Sequence, residues 1–66
     1  MLVLSRLRGE RIVVNFGTPN EVVIEVVDVR PHGKIRLGFE APPHVVIHRE
    51  EVADEVRRQG RDGRVA

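Results

Sequence analysis

Apolar side chains fall along this chain in short runs, and between the runs stand glycine, proline and asparagine. In MLVLSRL an extended backbone puts Leu2, Leu4 and Arg6 on one face and Val3, Ser5 and Leu7 on the other. A strand at about 1–7 is therefore apolar on both faces over its first half, and Gly9 permits a tight turn after it. RIVVNF reads as a second strand at 11–16, and GTPN (17–20) has turn chemistry. EVVIEVVDVR predicts a third, central strand at 21–30. Alternation puts Val22, Ile24 and Val26 on one face and Val23, Val27 and Val29 on the other with Glu21 and Glu25. PHGK (31–34) is a turn, and IRLGFE (35–40) alternates with Ile35, Leu37 and Phe39 inward and Arg36, Gly38 and Glu40 outward. The proline doublet in APPH excludes a helix, so VVIHR (45–49) reads as a fifth strand.

The pattern then changes period. EEVADEVRRQ predicts a helix at about 50–59, with glutamates in its first turn and arginines in its last, as the macrodipole prefers. Gly60 is its expected stop, and 61–66 is an expected flexible tail. Only Val52, Ala53 and Val56 form its apolar stripe. The expected fold is thus mainly β: five short strands and one C-terminal helix in a single domain over 1–60. The connections are too short for parallel crossovers, so the sheet is expected to be mainly antiparallel. A sheet apolar on two faces needs a second layer, and one helix with three small apolar residues does not supply it. A second copy of the sheet does, which predicts a homodimer.

Composition supports this inference. A chain of 66 residues buries only about 60% of its unfolded surface, and small domains offset that with disulfides, metals or self-association. There is no cysteine, which removes disulfides and thiolate metal sites. Apolar residues are 41% and charged residues 32%, a globular balance, and with Phe16 and Phe39 the only aromatics the core must be aliphatic. The net charge of +1 announces no polyanion, so a basic surface must come from local clustering. No apolar run reaches membrane length, and MLVLSR lacks the basic region of a signal peptide, so the expected location is the cytoplasm.

Candidate chemistry is sparse. His44 and His48 have helical metal-ligand spacing, but in a strand four residues span roughly 13 Å, too far for one ion. Ser5, the single serine, has no base beside it. GKIRLG enters a strand and lacks the helix N-terminus of a phosphate loop. Glu50 and Glu51 are adjacent on a helix and point apart. No enzyme, metal or cofactor is expected. What remains is arginine at strand ends, Arg6 after the first and Arg49 after the fifth. A lone arginine there is most often a solvated charge or an ion pair. Two of them ending strands that can neighbour each other suit phosphate or guanine, and open strand ends suit the free base edges of single-stranded RNA.

The stretches MLVLSR, GERIVV and IRLGFEAPPHVVIHREEV closely resemble the carbon storage regulator family (CsrA, also called RsmA) over most of residues 1–56. The resemblance implies an interlocked homodimer of five-stranded sheets with projecting C-terminal helices. It implies a post-transcriptional regulator that binds GGA in hairpin loops of messenger RNA leaders, blocking ribosome access or altering transcript stability. Each of two sites would combine the first strand of one protomer with the fifth strand of the other. By position, Leu4 and Arg6 match the first-strand RNA contacts, and Ala41, Pro42, Val45, Ile47, His48 and Arg49 match those of the loop and fifth strand. Arg36 matches an arginine that reaches phosphate. His48 lies on the opposite face of an extended strand from Ile47 and Arg49, which leaves packing and RNA contact both open for it.

The implied partners are a second copy, messenger RNA, regulatory small RNA with GGA loops and a flagellar assembly factor as antagonist; neither membrane nor DNA is expected. Three departures bear on affinity and partner preference: Leu7 replaces a basic residue, NFGTPNE lengthens the second turn, and RPHGK slightly extends the third. The alternative reading is a protein-interaction module of the same fold with weakened or lost RNA specificity.

Overall fold

A computed structural model describes residues 1–59. Three antiparallel strands, β1 (Arg11–Val14), β2 (Val22–Val29) and β3 (Ile35–Glu40), form one sheet in the order β1-β2-β3, and α1 (Glu50–Gln59) follows. The fold is mainly β, with β3 and α1 at the expected bounds and β1 and β2 slightly shorter than expected. Gly60 and the tail at 61–66 lie outside the described residues.

The strands form because valine and isoleucine fit a half-buried pleated surface. Their turns are set by backbone geometry. Gly9 and Gly33 take φ of 85° and 83°, where an L side chain is disfavoured. The Gly9 N–H donates to the Val26 carbonyl at 2.8 Å, and the Val26 N–H to the Glu10 carbonyl at 3.1 Å, so the first turn is stitched onto β2. The β2–β3 turn closes through the Arg30 N–H on the Lys34 carbonyl at 2.8 Å.

Register corrects one expectation. Val26 pairs with Leu37, but Asp28 pairs with Arg36 and Val29 with Ile35, so Val27 is the extra residue of a β-bulge. The bulge turns Val29 onto the face of Val22, Ile24 and Val26, where plain alternation put it opposite. One face of the sheet therefore carries Ile12, Val14, Val22, Ile24, Val26, Val29, Ile35, Leu37 and Phe39 without a charge. The other mixes Val13, Val23 and Val27 with Arg11, Glu25, Asp28, Arg36 and Glu40. On that face Arg11 spans all three strands, with Nε 3.1 Å from Glu25 and its terminal nitrogen 3.0 Å from Glu40. All three side chains are well exposed, so the network adds little stability and mainly rewards this register.

Val27 also explains Gly38. A Cβ built on Gly38 would lie 2.9 Å from Val27 Cγ2, below any ordinary contact, and a valine methyl has one stiff rotamer to yield with. Gly38→Ala is expected to destabilise the fold by about 1–3 kcal/mol through overpacking. Adding Val27→Ala should recover most of that loss in urea melts. Additive losses in the double variant would show that the two residues do not collide.

The apolar face is open. Among the described residues only Val22 is buried, at 8% exposure, while Leu37 and Phe39 keep 50% and 45%. The helix packs on none of the three strands, although its Val52, Ala53 and Val56 are half-buried. The expected strands at 1–7 and 45–49 form no strand pairing among the described residues. A strand exists only through its hydrogen-bonded neighbour. The outer edges of β1 and β3 have no strand beside them within the described residues.

Candidate functional site

The connection from β3 to α1 is built by proline and by the helix start. Pro42 and Pro43 hold the backbone out of the helical region, and the Val45 N–H closes a turn on the Pro42 carbonyl at 3.0 Å. Residues 45–49 then run to the helix, whose first bond goes from the Ala53 N–H to the Arg49 carbonyl at 2.9 Å. Arg49 is thus the N-cap, a position that favours Ser, Thr, Asp or Asn. An arginine adds nothing to capping there, and its side chain is exposed and available for another task.

Ile47, His48 and Arg49 line a groove of about 490 Å³ with Ile35, Leu37 and Phe39 of β3. These three β3 residues all belong to the charge-free face, so the groove has an apolar floor with a guanidinium at one wall. The sequence put His48 on the opposite side from its neighbours. In the structure all three line one groove, because the segment is not in regular strand form and strict alternation does not apply. Pro42 and Val45 are half-buried in the turn just before it, and Ala41 is exposed.

Arg36 stands elsewhere. It pairs in register with Asp28 on the charged face, across the sheet from the groove. Leu4 and Arg6 also stand outside the groove lining. Leu4 keeps 57% exposure, and Arg6 folds back onto its own turn, 3.2 Å from Glu10 Oε1. The single chain therefore brings together Ile47, His48 and Arg49 of the predicted residues, with Pro42 and Val45 close in sequence, and leaves Leu4, Arg6 and Arg36 apart.

Two contributors were missed in the sequence reading. Glu10 accepts the Leu7 N–H at 2.7 Å while holding Arg6, so one carboxylate shapes the turn and parks the guanidinium. The G-E pair after the first apolar run was the signal for it. The second is a bridge between loops, His44 Nε2 to Asn20 Oδ1 at 2.8 Å, for which no spacing rule exists. Among the described residues no group of three or more His, Asp or Glu side chains is placed to hold a metal ion, and no helix is long and apolar enough to cross a membrane.

Comparison with known proteins gives a consistent result. The family model CsrA, the global regulator protein family, matches residues 1–58. The chain is 50% identical over 58 residues to the translational regulator CsrA of Rhodopirellula baltica, covering 88% of this chain and 76% of that one. It is 51% identical over 59 residues to the protein of the same name from Wolinella succinogenes, covering 83% and 71%. With that of Halothermothrix orenii the identity is 38% over 61 residues, covering 92% and 69%. No solved structure matches the chain.

Proposed function

The chain belongs to the CsrA family of global regulator proteins, and from that premise we propose that it is a dimeric, non-enzymatic post-transcriptional regulator of the cytoplasm. It binds GGA motifs in hairpin loops of messenger RNA leaders and so blocks ribosome access or alters transcript stability. The carrying observation is where the single chain is incomplete. The two segments 1–7 and 45–49, which hold Leu4, Arg6, Val45, Ile47, His48 and Arg49 of the candidate RNA contacts, find no strand partner among the described residues, and β1 and β3 each keep an open edge there.

A second copy supplies both. Two chains that exchange these segments complete five-stranded sheets, and Arg6 of one protomer comes to stand beside Arg49 of the other. The charge-free face argues the same way. Val29, Ile35, Leu37 and Phe39 are each about half exposed, and covering them contributes about 3–6 kcal/mol per chain at the usual value of 1.5–3 kcal/mol for a fully buried side chain. Set against a whole stability of about 5–15 kcal/mol, that cover decides whether the chain folds.

With that apolar floor covered by the second copy, the strand ends are left to the RNA, and each part has its task. The Arg49 fork hydrogen-bonds a guanine edge or a phosphate, and Arg6 closes the opposite wall. Leu4, Val45 and Ile47 offer apolar contact to base faces, and Ala41 and Pro42 present backbone groups to base edges. His48 lines the wall. Arg36, on the charged face, serves RNA phosphates that pass round the sheet edge. Messenger RNA and small RNAs with GGA loops compete for the same groove, and a flagellar assembly factor is a further antagonist.

The test is a titration of a GGA hairpin against the same stem with a CCA loop, at two salt concentrations. The GGA loop is expected to bind at least tenfold more tightly, about 1.4 kcal/mol or more, since the control loses both guanines and each well-read base is worth about 1–3 kcal/mol. Both affinities should fall with salt, since phosphate neutralisation underlies the shared part. Equal affinity for both loops would favour the reading of a protein-interaction module without RNA specificity.

A further inference from the structure

The loop after β1 is longer than a hairpin needs, and it is tightly built. Asn15 and Gly17 take φ of 56° and 78°. Thr18 returns its N–H and its hydroxyl to the Asn15 carbonyl at 3.2 and 2.8 Å, and the Asn20 N–H donates to Thr18 Oγ1 at 3.2 Å. The Asn15 side-chain amide reaches the Asn20 carbonyl at 3.4 Å. Its only charged group, the Glu21 carboxylate, is half-buried and tied to the loop's own backbone, accepting the Gly17 N–H at 2.9 Å. What such a scaffold holds outward is Phe16, at 82% exposure.

The position of the loop gives that ring a purpose. Asn20 is bonded to His44 at 2.8 Å, and His44 is the third residue of the Pro42–Val45 turn, which carries the candidate contacts Pro42 and Val45 and leads in sequence to the groove residues 47–49. Resting on the RNA-binding reading above, we propose that the Asn15–Glu21 loop is an added wall of the RNA site, and that Phe16 is a platform on which an unpaired base flanking the GGA stacks. An aromatic face accepts any base, so it adds affinity without adding sequence preference. A loop whose one carboxylate is engaged by its own backbone repels phosphates on either side less.

The chain has no tryptophan, so Phe16→Trp installs a single fluorophore at the position and keeps an aromatic face. Titration with the GGA hairpin is expected to quench the indole emission in step with binding followed by gel shift. A hairpin whose flanking loop nucleotides are abasic should bind without that quenching. Phe16→Ala should weaken the intact hairpin by roughly fivefold or more and leave the abasic one unchanged. Binding of the intact hairpin with unaltered emission overturns the proposal and spares the RNA reading. Emission that depends on protein concentration, with no response to RNA, assigns the ring to a contact between copies and also overturns it. Failure of every hairpin to bind overturns the RNA reading and this proposal with it.

Discussion

Arg49→Ala is expected to weaken binding to a GGA hairpin by about 1–3 kcal/mol, the scale of one bidentate contact to a guanine edge. The argument is that the substitution removes little else. The backbone role of Arg49 is to accept the first helical hydrogen bond through its carbonyl, which alanine keeps. Neither side chain is a favoured N-cap, so helix stability should change by only a few tenths of a kcal/mol. No ion pair is recorded for the guanidinium within the described residues, so its loss strands no carboxylate. Arg49→Lys keeps the charge without the planar fork, and its affinity should fall between the two. Gel shifts with all three proteins check this, with thermal melts as a control. Wild-type affinity in the alanine variant would remove Arg49 from the site.

Leu37→Asp should have the largest effect on the protein itself. Leu37 lies mid-strand on the charge-free face, paired with Val26 and lining the groove beside Arg49. If a second copy covers this face, the variant loses the burial of one leucine, worth about 1.5–3 kcal/mol. It also places a carboxylate in an apolar interface, where an unpaired polar group costs a further several kcal/mol. The expected result is loss of both the dimer in sedimentation equilibrium and the cooperative melt at micromolar concentration. Arg36→Gln, one residue away on the opposite face, should leave both within about 0.5 kcal/mol. A Leu37→Asp chain that still dimerises, or that is monomeric and melts like the parent, would mean that this face needs no cover from a second copy, and the assembly reading would fall.

The legible and illegible parts of this fold divide by the range of the physics involved. IRLGFE alternates with charge on one side only, and the structure places its strand at the expected residues. EEVADEVRRQ announced both ends of its helix by the sign of its charges. The bulge was invisible because Val27 has the same character as Val26 beside it, so nothing in a period of two marks the extra residue. The Arg11 bridge to Glu25 and Glu40 joins residues 14 and 29 positions away, a relation that only the sheet register creates. For the site, Ile47, His48 and Arg49 were each singled out, but the groove they share was not foreseen, since alternation assumed a regular strand. Leu4 and Arg6 are the opposite case. Their pattern was plain, but among the described residues no strand lies beside them.

The irregularity in β2 sets where this protein can change length. Shortening an ordinary strand by one residue turns every later side chain over, sending an apolar set to solvent. Here the spare position already breaks the count. A chain without Val27 would still show Val26 and Val29 to the same side and Asp28 to Arg36. Position 38 would at the same time be released from its demand for a missing side chain. Position 27 is thus a point in the central strand where one residue and the glycine beside it can be lost together without turning the strand over.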